Sequence, residues 1–374
     1  MTVYLDYSAT TPVHQEVSEL VLRLMVDNFG NAGSRTHEFG VHAKRFVELA
    51  RDQVAQVVNA EKTEVIFTSG ATESNNIVIL GVQELSNKVG KKHIITTSVE
   101  HKAVLEPIQY LEKFGFEVTY LEVDNEGQLD LLQLQEALRP DTVLVSVMHV
   151  NNETGVISPI DNICDLLANH DAYLHVDAAQ SFGKINDTLR NQRIDFISIS
   201  GHKIYAPQGV GALVMRKRGY KTPSLAPIYF GGGQEKGLRP GTLPVPLIAG
   251  LGLASEIANK SSPEWLSKAD MIKQEFSQFV DSIGGVINGC NTSPYICNFS
   301  IPGINSEAAM LMLKGVIAVS NGSACTSTSY KASHVLSAMG LASDRVGGAI
   351  RVSFSPFMEP VPYEEIANNL KPLL

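Results

Sequence analysis

The stretch Asp195-Phe196-Ile197-Ser198-Ile199-Ser200-Gly201-His202-Lys203 decides the fold. Residues 195–199 are short, β-branched and apolar, the composition of a buried strand. Small and polar residues then take over, and a lysine stands where the strand should emerge. In an open parallel sheet, ligands bind at the carboxyl ends of the strands. A buried lysine amine can have a lowered pKa and form a Schiff base with a carbonyl. Taken alone, Lys203 is more simply a side chain leaving the sheet for water. The other strand ends change that reading.

Working outward, strand patterns recur at 64–68, 93–97, 117–122, 142–148, 173–176, 195–199 and 211–215. Helical patterns cover 16–27 and 39–59, and others fall between strands at 73–87, 102–114, 131–138 and 160–169. Alternation of this kind predicts an α/β fold, with a mostly parallel seven-stranded sheet covered by helices on both faces. Residues 220–246 are rich in Gly and Pro and read as a long loop. A helix at about 247–259 follows, then fewer, shorter strands at 285–288, 297–301, 316–319 and 349–354. The change of rhythm predicts a large domain over 15–258. A smaller α+β domain is expected over 259–374, joined by the extended residues 1–14.

Composition narrows the class. The chain has 374 residues, is 44% hydrophobic and 18% charged, and carries a net charge of 30 − 39 = −9. Those proportions suit a globular enzyme with a sizeable core. The negative charge argues against direct binding of nucleic acid. The spacing of Cys164, Cys290, Cys297 and Cys325 matches no zinc or iron–sulfur pattern, so no metal is expected. No basic leader or long apolar run is present, which points to the cytoplasm and away from a membrane.

The strand ends carry the chemistry. Residues 64–68 run into Ser69-Gly70-Ala71-Thr72-Glu73-Ser74-Asn75, a small-residue turn opening a helix. It is either a phosphate cradle, with Thr72 adding a hydroxyl, or an ordinary helix start. His101 follows 93–97 and can stack on a flat ligand, shuttle a proton, or serve only the fold. Asn151 and Asn152 follow 142–148, where an amide can donate to a ligand or make a turn. Asp177 ends 173–176. An aspartate there needs a cation, such as a protonated pyridine nitrogen, unless it only caps the next helix. Gln180 could then reach a ring oxygen. Further on, Arg351 interrupts an apolar strand and requires an anion if it points inward; a guanidinium suits a carboxylate. Cys325 sits among small polar residues, Ser320-Asn321-Gly322-Ser323-Ala324-Cys325-Thr326-Ser327, unlike a core cysteine. Cys164 falls on the apolar face of a helical pattern, and Cys290 and Cys297 flank a loop.

Taken together, Tyr4-Leu5-Asp6-Tyr7-Ser8-Ala9-Thr10-Thr11-Pro12, Gly70-Ala71-Thr72-Glu73-Ser74-Asn75, Glu100-His101, His149-Val150-Asn151-Asn152-Glu153, His175-Val176-Asp177-Ala178-Ala179-Gln180 and Ser200-Gly201-His202-Lys203 resemble the cysteine desulfurases of the class V aminotransferase family. Gly322-Ser323-Ala324-Cys325-Thr326-Ser327 is similar to the nucleophile loop of their long-loop group.

The resemblance implies an aminotransferase-like homodimer using pyridoxal 5'-phosphate (PLP). It casts Lys203 as the Schiff-base lysine and His101 as the residue stacked on the ring. Ala71, Thr72, Ser200 and His202 would hold the phosphate, with Thr242 reaching over from a second copy. Asp177 and Gln180 would tune the ring, while Arg351, Asn152 and Asn31 would bind L-cysteine. Cys325 would take the sulfur as a persulfide and pass it to an acceptor protein.

The destinations implied are iron–sulfur assembly, tRNA thiolation or DNA phosphorothioation. A selenocysteine lyase or a plain aminotransferase would use the same cofactor site, and the latter would not need Cys325. The sequence departs from the housekeeping pattern at Ala32, at Asn321 and at Phe354-Ser355-Pro356, and Leu374 comes early relative to a scaffold-docking extension. These departures point toward a specialised acceptor.

Overall fold

A computed structural model describes residues 2–321 and 332–373. Its central sheet has seven strands, in the order Val65–Thr68, Gly211–Met215, Phe196–Ser200, Tyr173–Asp177, Thr142–Met148, His93–Thr97 and Glu117–Leu121. Gly211–Met215 is antiparallel to both its neighbours, and every other pairing is parallel. Six strands therefore run the same way, and their carboxyl ends share one edge. The expected α/β architecture is present, with strand bounds within a residue of those read from sequence.

Burial on both faces explains why these runs are apolar throughout. One face packs on a core that includes Val47, Val54, Ile163, Val176 and Ile199. The other packs on a core that includes Ile77, Ile79, Ile94, Ile108 and Phe196. Fully burying each such side chain contributes about 1.5–3 kcal/mol. Within the sheet, buried His175 bridges Ser146 Oγ at 2.8 Å and Ser198 Oγ at 2.9 Å, tying three adjacent strands through side chains. Burial pushes its pKa down to about 4, so it serves as a neutral bridge.

A third core gathers Leu5, Phe276, Phe299, Ile350, Val352, Phe354 and Ile366. It covers a three-stranded antiparallel sheet of Ala349–Ser353, Ile296–Ser300 and Val286–Ile287. Val3–Tyr4 pairs with Ile317–Ala318 beside it. We propose that the central sheet with its two cores marks the large domain and the core around Leu5 the small one, with residues 1–14 serving the small one. The same segment also reaches the turn that follows Phe196–Ser200, because Thr11 N donates to His202 O at 3.0 Å.

One helix far exceeds its expected length. Val245–Ser282 runs unbroken past 259 and contains Pro263. Buried Ala258, Trp265, Ala269, Phe276 and Val280 continue the apolar stripe at helical spacing, which outweighs the hydrogen bond that proline forfeits. Ser306–Met312, Ser343–Gly347 and Tyr363–Leu370 are additional helices of seven, five and eight residues. The predicted 220–246 loop is present, with a short helical turn at Gln234–Gly237.

Candidate active site

The shared strand edge opens on a cavity of about 400 Å³. Ala71, Thr72, His101, Asn152, Asp177, Gln180, Ser200, His202, Lys203 and Arg351 all line it. Residues far apart in sequence meet because consecutive parallel strands deliver their carboxyl ends to one place.

At one end the helix Ala71–Val89 begins, and Gly70 at its N-cap supplies no side-chain acceptor. Its first N–H groups are therefore available to an anion. Gly70 has φ +154°, a region that disfavours a Cβ. A Cβ on neighbouring Gly211 would lie 2.6 Å from Gly70 Cα and 2.3 Å from Ile199 O. These two glycines let the turn settle directly on the sheet. Thr72 is exposed at the rim and Ser200 is buried at the floor. His202 Nδ1 bonds Thr10 Oγ1 at 3.1 Å. Burial, helped by the Lys203 and Lys184 ammonium groups, drops its pKa to about 4.

Asp177 is 5% exposed. Asn75 Nδ2 donates to its Oδ2 at 2.7 Å and Ala179 N to its Oδ1 at 2.9 Å. Both donors are neutral and leave lone pairs for a cationic nitrogen. Gln180 Nε2 donates to Ser8 O at 3.0 Å, while its buried Oε1 has no partner among the described residues. Lys203 Nζ donates to Ala9 O at 2.7 Å and to Ser8 O. The amino-terminal segment thus closes over the lysine, a role that 1–14 did not announce in the sequence.

His101 caps the helix Lys102–Glu112, and its Nδ1 accepts from Ala103 N at 3.1 Å. The ring's proton therefore sits on Nε2. Burial lowers the histidine's pKa and the Lys203 charge adds to that, which favours this neutral tautomer. Beneath it, wholly buried Glu100 accepts from Thr97 Oγ1 at 2.8 Å and Met148 N at 2.9 Å. Burial pushes its pKa up to about 8, with the Asp177 charge contributing. It is a proton-bearing prop at neutral pH, and sequence reading missed it. Asn75 was also missed, although it lies four residues after Ala71 on the same helix face.

Arg351 lies on Ala349–Ser353, an outer strand of the small sheet, and is 5% exposed. Its Nη2 donates to Asp6 Oδ1 at 2.7 Å and its Nη1 to Asn152 O at 2.9 Å.

Two predicted residues are not brought into the cavity of this chain. Asn31 is exposed, and its Oδ1 accepts from Gly33 N at 2.8 Å. Thr242 is exposed in a neighbouring groove with Ser69, Glu73 and Arg239, where Arg239 Nε meets Glu73 Oε1 at 3.0 Å. Cys325 lies outside the described residues. Of the other cysteines, Cys164 and Cys297 are buried, with burial pushing each thiol up to about 12. Cys290 is exposed, and none of these three forms a disulfide.

Residues 3–361 match the aminotransferase class-V family, and the chain belongs to it. It is 43% identical to cysteine desulfurase IscS of Buchnera aphidicola over 95% of this chain and 88% of that one. Among solved structures it resembles DndA from Streptomyces lividans, with 46% identity and a TM-score of 0.82 over 94% of this chain and 99% of that one. It also resembles SspA in complex with cysteine, with 37% identity and a TM-score of 0.83 over 95% and 99% of the two chains.

The cofactor is pyridoxal 5'-phosphate. The residues fit it: uncapped helix N–H groups for an anion, a buried carboxylate with spare lone pairs for a ring nitrogen, a flat neutral histidine, and a lysine in one cavity. The orphaned Gln180 Oε1 marks a wall still open to a polar ligand.

Proposed function

We propose that this protein is a PLP-dependent cysteine desulfurase, which converts L-cysteine to L-alanine and stores the sulfur as a persulfide on Cys325. The gathering of Lys203, Asp177, His101 and Arg351 around one cavity carries the reading, since binding alone would need no such set. When bound, PLP supplies an electrophilic carbon for an amine and a sink for the electrons of the Cα–H bond.

In this reading the chain's own residues do the rest. Lys203 holds the cofactor and then moves the proton at Cα. Ala71 N–H, Thr72, Ser200 and His202 hold the phosphate, while Asp177, kept in place by Asn75, holds the ring nitrogen's proton. Gln180 meets the ring with its second amide N–H. His101 keeps its own proton on Nε2, facing ring and substrate. Arg351, with Asn152, binds the α-carboxylate. The Cys325 thiolate attacks the substrate sulfur as the Cβ–S bond breaks. That bond's electron pair returns to carbon, which takes a proton, and alanine leaves.

The protein is proposed to work as a homodimer in the cytoplasm, with Thr242 and Asn31 serving the second copy's cavity. The exposure of both residues, and the place of Thr242 in a groove that shares Ser69 and Glu73 with this chain's cavity, support that arrangement. Sulfur would pass to a separate acceptor protein in iron–sulfur assembly, tRNA thiolation or DNA phosphorothioation. Relatives at 43% and 46% identity, named IscS and DndA, leave that choice to experiment. The destination is read by loading the enzyme with labelled sulfur and identifying the labelled protein in a lysate of the source cells.

The test of the activity is Lys203→Ala. Alanine formation from L-cysteine should fall by at least about 100-fold, because both cofactor attachment and proton transfer are removed. Ordinary turnover by that variant would contradict the assignment.

A further inference from the structure

Arg351 does not meet the cavity as a lone cation. Its side chain is 6% exposed and pairs with the Asp6 carboxylate, which is 20% exposed. Nη2 donates to Asp6 Oδ1 and Nη1 donates to Asn152 O, while Nε has no partner among the described residues. A guanidinium has five N–H donors. Two are directed to Asp6 and Asn152, so one donor remains on each terminal nitrogen and one on Nε. The spare N–H on each terminal nitrogen can serve a carboxylate bidentately, while Nε itself is buried.

Asp6 is itself rigidly held. Ser353 N donates to Leu5 O at 2.8 Å, Ser8 N to Ser353 Oγ at 2.8 Å, and the Tyr4 hydroxyl to Asp6 O at 2.9 Å. Asp6 pairs with Ser353 across a bridge, two residues from Arg351 on the same strand. Carboxylate and guanidinium thus stand on one ladder. A buried cation without a counter-charge is costly, and an arginine fixed at one terminal nitrogen cannot swing.

We propose that Asp6 is a positioning residue: it holds the Arg351 guanidinium by Nη2 so that the remaining N–H edge meets the substrate's α-carboxylate in one orientation. This rests on the reading of Arg351 as the carboxylate clamp. Asp6 also neutralises the clamp before substrate arrives. Selection of a carboxylate then comes from the geometry of two aligned N–H groups more than from net charge.

The test uses the cofactor-loaded protein, titrated with L-alanine and with ethylamine and followed by the cofactor's visible absorbance. Both ligands offer an amine, only the first a carboxylate, and neither has a thiol that could turn over. In Asp6→Ala, affinity for L-alanine should fall at least about tenfold while that for ethylamine moves less than about twofold. Asp6→Asn keeps an acceptor oxygen opposite Nη2 and should restore the preference to within about threefold of the parent. Equal weakening of both ligands in Asp6→Ala would show a merely structural role, and an unchanged preference would show none; either result overturns the proposal. Asp6→Asn behaving like Asp6→Ala also overturns it. If the parent itself does not prefer L-alanine, the clamp reading falls and this proposal with it, an outcome separate from failure at Asp6 alone.

Discussion

Glu100 keeps its proton because its carboxyl is surrounded by protein and, among the described residues, accepts only from the Thr97 hydroxyl and the Met148 amide. Folding raises its pKa from 4.5 to about 8. The folded chain therefore binds a proton that the unfolded chain has released between those values. That contribution to stability is complete below about pH 4.5 and is lost as pH rises through about 8. Glu100→Gln removes it, so the variant's thermal midpoint should decline less than the parent's between about pH 6 and about pH 9. Parallel declines would mean that Glu100 does not titrate there. At the other side of the cavity, Arg351→Ala removes the group proposed to face the carboxylate. Losing one partner of a charged pairing costs about 2–5 kcal/mol, so the Michaelis constant for L-cysteine should rise at least about 30-fold. An unchanged constant and rate would leave Arg351 a structural role only.

At the scale of elements, the phosphate cradle depends on two backbones lying closer than side chains allow. Gly211→Ala would place a Cβ 2.3 Å from Ile199 O and 2.6 Å from Gly70 Cα, both main-chain atoms unable to step aside. We expect about 1–3 kcal/mol of lost stability in chemical denaturation, with weakened PLP affinity, because the turn must lift off the sheet. Unchanged midpoint and affinity would show that the cradle tolerates a wider gap. The same close packing explains what sequence could reveal. The central strands are buried on both faces, so each reads as one apolar run with abrupt polar ends, and Lys203, Asp177 and His101 stand at or just beyond those ends. Helix limits were less legible. Pro263 reads as a stop, yet Trp265 and Ala269 pack the next turns into the interior. Helices such as Ser343–Gly347 have too few turns for a period to emerge. Asp6 was not legible as a partner of Arg351 because the two lie 345 positions apart. Their meeting depends on how strands from both ends of the chain align.

For the whole molecule, two sheets divide the work: the central one supplies the strand edge, and the small antiparallel one brings Arg351. Among the described residues no helix is long and apolar enough to cross a membrane. With a charge of −9, the protein itself is expected to leave duplex DNA unretarded in a gel at low salt. Retardation there would mean that it reaches nucleic acid without an intermediary. The central claim, however, concerns one sulfur atom. Mass spectrometry of the cofactor-loaded enzyme after L-cysteine, with peptides mapped under non-reducing conditions, tests it most directly. We predict one added sulfur on the peptide containing Cys325, and alanine release that collapses in Cys325→Ser. Sulfur on Cys164, Cys290 or Cys297 instead, or undiminished alanine release by Cys325→Ser, would contradict the account.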